Sequence, residues 1–117
     1  MSAEEELAER VLEALGQDDC EAFGELAGEE IEIHTVRGVR HGHEEAVAWA
    51  RNKYEHLQRR FAAEQIRPIG PGEVLVTGNT EYVWKETGEL ADSTAIAIEM
   101  RFRDGKLVRW RFREDPP

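Results

Sequence analysis

The chain has 117 residues, of which 40% are hydrophobic and 34% charged, and carries a formal net charge of −10. That length suits a single domain, residues 1–117, around one core, and the composition excludes a disordered chain. Apolar runs such as Thr94 to Ile98 are too short to cross a bilayer, and the acidic opening MSAEEELAER lacks the basic start and apolar centre of a secretory signal, so a cytoplasmic protein without membrane contact is expected.

The charge is unevenly spread. Residues 1–32 hold 12 acids and one base, Arg10, a net of −11, whereas residues 33–117 hold 13 acids and 14 bases, a net of +1. The acidity belongs to the N-terminal quarter and reads as a solvated face. Cys20, the only cysteine, makes no internal disulfide. It follows Asp18 and Asp19, which oppose a reactive thiolate.

Ser2 with Glu5 forms a capping box, and Leu7, Val11, Leu12 and Leu15 recur at helical spacing until Gly16. Asp18 with Glu21 opens a second, short helix carrying Phe23 and Leu26, ended by Gly28. Residues 30–36 alternate as a strand, with Ile31, Ile33 and Thr35 on one face and Glu32, His34 and Val36 on the other. Residues 37–42 read as a loop. From 43 to about 60, the stripe of Ala46, Val47, Ala50, Tyr54 and Leu57 predicts a third helix. Strands are predicted over 61–67, stopped by Pro68 and Gly70 to Gly72, then over 74–85, 90–102 and 107–114. Helices packed on one side of a curved, mainly antiparallel sheet define an α+β fold.

The turns predict the register. A three-residue loop over Arg103 to Gly105 pairs Phe102 with Lys106, Ile98 with Trp110, Ile96 with Phe112 and Thr94 with Glu114. The same form over Glu86 to Gly88 sets Val76 beside Ile98 and Trp84 beside Leu90. Both choices collect the apolar side chains on one face. The other face receives Ala95, Ala97, Glu99, Arg109 and Arg111, with Glu99 opposite Arg109. Nucleic acid is not expected on this arginine row, because the chain is acidic and Trp110 and Phe112 turn away from it. A half-charged, half-small face suits a homodimer contact.

The layout resembles the SnoaL-like polyketide cyclases within the nuclear transport factor two-like superfamily. The resemblance is carried by GQDDCEAFGELAGEEIEIHTV, RHGHEEAVAWA and MRFRDGKLVRWRF, and spans nearly the whole chain. It implies a cone, three N-terminal helices wrapped by a strongly bent sheet with a pocket at the wide end, dimeric through the sheet's outer face. It also implies where acid–base groups would sit, and this chain departs from the pattern there. The penultimate strand has Ile98 in place of an acid, the last strand has Trp110 and Phe112, and the first has Ile33 or Thr35. The expectation is therefore a cofactor-free pocket for a small hydrophobic molecule, with walls from Trp110, Phe112, Ile98, Ile96, Met100, Val76, Tyr82, Trp84, Tyr54 and Trp49. The alternative is a cyclase-, isomerase- or dehydratase-type enzyme using other residues. His34 and Glu114 are its catalytic candidates, His34 for an imidazole that titrates near neutral pH and Glu114 for a carboxyl at an apolar rim. His34, His41 and His43 have the residue type for a zinc site, but the spacing is weak and no metal is expected.

Overall fold

A computed structural model describes residues 2–113. Its elements are α1 (Ala3–Gly16), α2 (Cys20–Leu26), β1 (Ala27–Thr35), β2 (Gly38–His41), α3 (His43–Ala50), β3 (Leu57–Gly70), β4 (Glu73–Trp84), β5 (Leu90–Arg103) and β6 (Lys106–Phe112). The sheet runs β2-β1-β6-β5-β4-β3, and β1 lies parallel to β6 while every other pair is antiparallel. The helices pack on its concave side. The result is an α+β cone.

The N-terminal capping box forms as expected. The Glu5 amide donates to Ser2 Oγ at 3.2 Å and the Ser2 amide donates to the Glu5 carboxylate at 3.4 Å. Glu4, Glu5 and Glu6 in the first turn complement the helix dipole. The opposite stripe of α1 buries Ala8, Val11, Leu12, Ala14 and Leu15 against the sheet.

Three boundaries differ from the sequence reading, each for a tertiary reason. The third helix ends at Ala50, and Leu57 to Arg60 join β3. Leu57, Arg59 and Phe61 then pair with Trp84, Tyr82 and Thr80 across β4, and the Arg59 guanidinium donates to the carbonyls of Leu15 and Ala50. One side chain thus satisfies the open C-terminal ends of α1 and α3. Tyr54 consequently sits in the α3–β3 connection and not on a helical stripe. Residues 38–41, expected as a loop, pair with β1 as a hairpin. β3 also continues through Pro68, because it is an edge strand and a missing ladder donor is tolerated there.

The last hairpin corrects the expected register. Asp104 (φ 52°) and Gly105 (φ 76°) are both left-handed, so the turn has two residues and Arg103 pairs with Lys106. A bulge between Arg101 and Phe102 then shifts the pairing further. Ile98 lies opposite Phe112, Met100 opposite Trp110 and Glu99 opposite Arg111, not Ile98 opposite Trp110 or Glu99 opposite Arg109. The displacement is two residues, so every side chain keeps its face. Between β4 and β5 the expected pairing holds from Val74–Met100 to Tyr82–Asp92. It then shifts, placing Val83 rather than Trp84 beside Leu90.

The sheet bends where β3 and β4 slip between Ala63 and Gln65, opposite Gly78. Gly78 has φ 152°, and a Cβ there would lie 2.1 Å from the Ala62 carbonyl oxygen. No L side chain fits. Gly78→Ala should cost about 3 kcal/mol or more, measured by chemical denaturation. An unchanged midpoint would mean that the bend does not need glycine.

Candidate functional site

The inner face of the sheet carries a continuous row. Across β2, β1, β6, β5 and β4 it reads Arg40, Ile33, Trp110, Met100 and Val74. All but Arg40 are 0% exposed, so the row runs from a closed core to a charged open edge. Trp110 is its centre. Its ring centroid lies 5.2 Å from Trp49, 5.5 Å from Phe112 and 6.1 Å from Phe61, each edge-on. Trp49 also touches Phe23 at 6.2 Å. These aromatic rings fill the narrow part of the cone. The Trp110 indole Nε1 is buried with no acceptor among the described residues, a placement that ordinarily costs about 1–3 kcal/mol.

At the open end, a cavity of about 300 Å³ lies between the β1–β2 hairpin, the segment after α3, and the adjoining ends of β3 and β4. Trp49 lines it and, through its contact with Trp110, connects it to the aromatic core. Tyr54 and Tyr82, with centroids 5.3 Å apart and edge-on, form one wall. Arg59 lines it too, fixed by the two helix-end carbonyls and 5.9 Å above the Phe61 ring. A second cavity of about 470 Å³ opens between α1 and β3, with Leu12, Phe61 and Ile66 beneath Glu9, Glu13 and Glu64. It is the larger of the two, but it is a side groove. The open-end cavity adjoins Trp49 and the tyrosine pair and is the better candidate site.

The expected pocket residues therefore divide. Trp110, Phe112 and Trp49 come together, and Tyr54 joins Tyr82 at the open end. Ile98, Met100 and Val76 are wholly buried core, and Ile96 packs beside them. Trp84 is not with them. It is 46% exposed and stands with His56 and Lys85 at the β4–β5 hairpin. Sequence reading missed Arg59, Arg40 and Phe61 as site residues. The alternation of Leu57, Arg59 and Phe61 was the available signal, but it was absorbed into an overlong helix.

The histidines lie elsewhere. His34 is on the outer face, where its Nε2 bonds Glu32 Oε1 at 2.9 Å, and His41 Nε2 lies 3.6 Å from Glu32 Oε2. The hydrogen bond from His34, with the positive potential of His34, His41 and Arg109, holds the Glu32 carboxyl below its ordinary range against a smaller opposing effect of burial. His43 is committed to the helices, donating from Nε2 to the Gly24 carbonyl at 2.8 Å. Among the described residues no group of His, Cys, Asp and Glu is arranged to hold a metal. Glu114 lies outside the described residues.

The rest of the outer face is an ion lattice. Glu73 accepts from Arg101 at 2.8 Å and Arg109 at 3.1 Å, and Glu99 from Arg113 at 3.3 Å. Leu75 and Ala97 are buried on this side, apart from the main core. Ala95 and Arg111 are exposed.

No family model matches the chain, and no curated protein matches it in sequence. Solved structures do match, and they give it the cone fold of the nuclear transport factor two-like superfamily. An LEH-like epoxide hydrolase of Mycobacterium tuberculosis superposes with a TM-score of 0.79 at 15% identity, over 94% of this chain and 80% of that one. Another M. tuberculosis protein, in complex with estradiol-17β-hemisuccinate, gives 0.79 at 13% identity over 98% and 95%. A de novo designed protein with a curved β-sheet gives 0.73 at 19% identity over 99% and 89%. The likeness is one of fold, and a fold shared with a design does not specify an activity.

The Glu32 cluster makes a pH-dependent contribution. Because folding lowers the Glu32 pKa, its stabilisation is present above the unfolded carboxylate value and disappears as pH falls through the lowered one. Glu32→Gln should be less stable than the parent near neutrality, and the two denaturation midpoints should converge in acid. A gap independent of pH would refute this.

Proposed function

We propose that the chain binds a small hydrophobic molecule at the open end of the cone, with its flat body against Trp49 and the Tyr54–Tyr82 pair. The carrying observation is the set of aromatic walls, Trp49, Tyr54 and Tyr82, at the open cavity, with Trp49 backed by the buried Trp110 ring. Flat aromatic walls that hold a ligand's body beside polar groups that orient it are typical of small-molecule sites, and this cavity has both. The inner positions that the resemblance would give to acids and bases hold Ile33, Ile98, Trp110 and Phe112, which favours binding over proton transfer. His34 is held on the other face by Glu32. The steroid ester bound by one protein of the same fold supports the ligand class.

Estradiol added to the protein should raise its melting temperature and change its tryptophan fluorescence. At a ligand concentration 100-fold above Kd, mass action adds about 2.7 kcal/mol of stability. Trp49→Ala should remove the fluorescence response. Failure of estradiol and of planar aromatic compounds to shift either signal at their solubility limits would defeat the reading. Turnover that is lost in His34→Ala without a change in melting temperature would replace binding with catalysis.

The same reading includes a homodimer, cytoplasmic and SnoaL-like in type, formed through the outer face of Ala95, Ala97, Glu99, Arg109 and Arg111. Support comes from the small and charged character of that face, on which Ala95 and Arg111 are exposed while Ala97 is already covered within the chain. A two-fold contact sets each residue near its own symmetry mate. Sedimentation should show a dimer at micromolar concentration that Arg111→Glu weakens. A monomer at millimolar concentration would disprove it.

A further inference from the structure

Two groups of cations in this chain contrast with one another. On the outer face and at the sheet edge, Arg60, Arg101, Arg109 and Arg113 each have a carboxylate partner. Around the open-end cavity stand Arg37, Arg40, Arg51 and Lys53, and among the described residues no acid lines that cavity. None of these four side chains has a carboxylate partner among the described residues, and Arg59 beside them is committed to two helix-end carbonyls. They come from three separate segments: the β1–β2 turn, β2 itself, and the connection after α3. Arg40 pairs with Ile33 and so shares the inner face that continues to Trp110.

Like charges converging on a concavity repel one another, and an anion placed among them reverses the sign of that interaction. The concavity also has Trp49 and Tyr82 as flat walls, which an inorganic ion would leave unused. We infer that the open end of the cone recognises an organic anion, in which Arg37, Arg40, Arg51 and Lys53 hold a carboxylate or similar acidic group carried on a flat aromatic body lying on Trp49. This rests on the proposed binding function and narrows its ligand from neutral to acidic molecules. Guanidinium groups suit the acidic end because they form paired, charge-assisted hydrogen bonds with a carboxylate. A nucleic acid is the poorer occupant. Residues 1–32, with a net charge of −11, would repel its backbone, and a cavity of about 300 Å³ takes one small group and not a strand.

The test compares 2-naphthoate with 2-naphthylmethanol, matched in ring and differing in charge, by titration calorimetry on the full chain. The carboxylate should bind about tenfold more tightly at low salt, the scale of one charge-assisted hydrogen bond, and added potassium chloride should erode that advantage. Arg40→Gln combined with Arg51→Gln should abolish the preference and leave the alcohol's affinity and the melting temperature unchanged. Arg67→Gln combined with Arg103→Gln removes the same net charge from exposed positions outside that cavity, and it should preserve the preference. Equal binding of the two compounds would overturn the inference while leaving the binding function intact. So would a preference that survives the Arg40 and Arg51 changes. Binding of neither compound would overturn the inference, and if estradiol also fails to bind, the binding function falls with it. An oligothymidylate that binds the chain and is not displaced by naphthoate would assign the cations to nucleic acid and overturn the inference.

Discussion

The bend in the sheet is the constraint on which the rest of the molecule depends. Long strands of 14, 12 and 14 residues cannot enclose three short helices while remaining flat. Curvature is introduced by letting β3 slip past β4 between Ala63 and Gln65 and by removing the side chain at residue 78, where backbone atoms of β3 occupy the space of a Cβ. Once the sheet curves, its inner row must be filled. Trp110 and its ring neighbours do this at the narrow end. The helices supply the remaining wall with Ala8, Val11 and Phe23, small where they approach closely and large where the space widens.

The open end is organised by a different kind of interaction. α1 and α3 both terminate there, and neither has a basic residue in its last turn to meet the orphan carbonyls. Arg59 reaches in from β3 to supply those donors. A single planar guanidinium thereby locks two helices to the sheet and sets one wall of the cavity. A lysine in its place would keep the charge and lose the geometry. Because Arg59 is spent on backbone carbonyls, the cations around it are the ones that face the cavity, and among the described residues no carboxylate pairs with them.

The sequence exposed the faces of the elements more clearly than their ends. Alternation in β4, β5 and β6 identified Val76, Ile98, Met100 and Trp110 as inward and Glu99 and Arg109 as outward, and those assignments survive a two-residue register error. They survive because a shift of two leaves the period-2 pattern unchanged. The error itself came from turn chemistry. Arg103-Asp104-Gly105 fits a three-residue loop as well as a two-residue one, and only the bulge further along the hairpin distinguishes the outcomes. The third helix was overextended because Tyr54 and Leu57 continue its spacing by chance. What ends it, the pairing of Leu57 and Arg59 with β4, is a contact between residues about 25 apart that no local pattern contains. The charged rim of the site was hidden for the same reason, since its cations come from separated segments that meet only in the fold.

That separation also bears on the relation between fold and function. The inner positions deepest in the cone are apolar and packed, so they specify the architecture and leave little room for chemistry. Variation in ligand would then be carried at the open end, where Arg37, Arg40, Arg51 and Lys53 are exposed and can be exchanged with small effect on stability. The outer face is organised the other way, with Glu73 and Glu99 pairing the arginines that surround them. Two basic surfaces of similar composition thus differ physically in whether carboxylates were placed beside the cations. Composition alone cannot distinguish them, whereas the pairing pattern does: Arg101, Arg109 and Arg113 are held by carboxylates of the sheet, and among the described residues Arg37, Arg40, Arg51 and Lys53 are not.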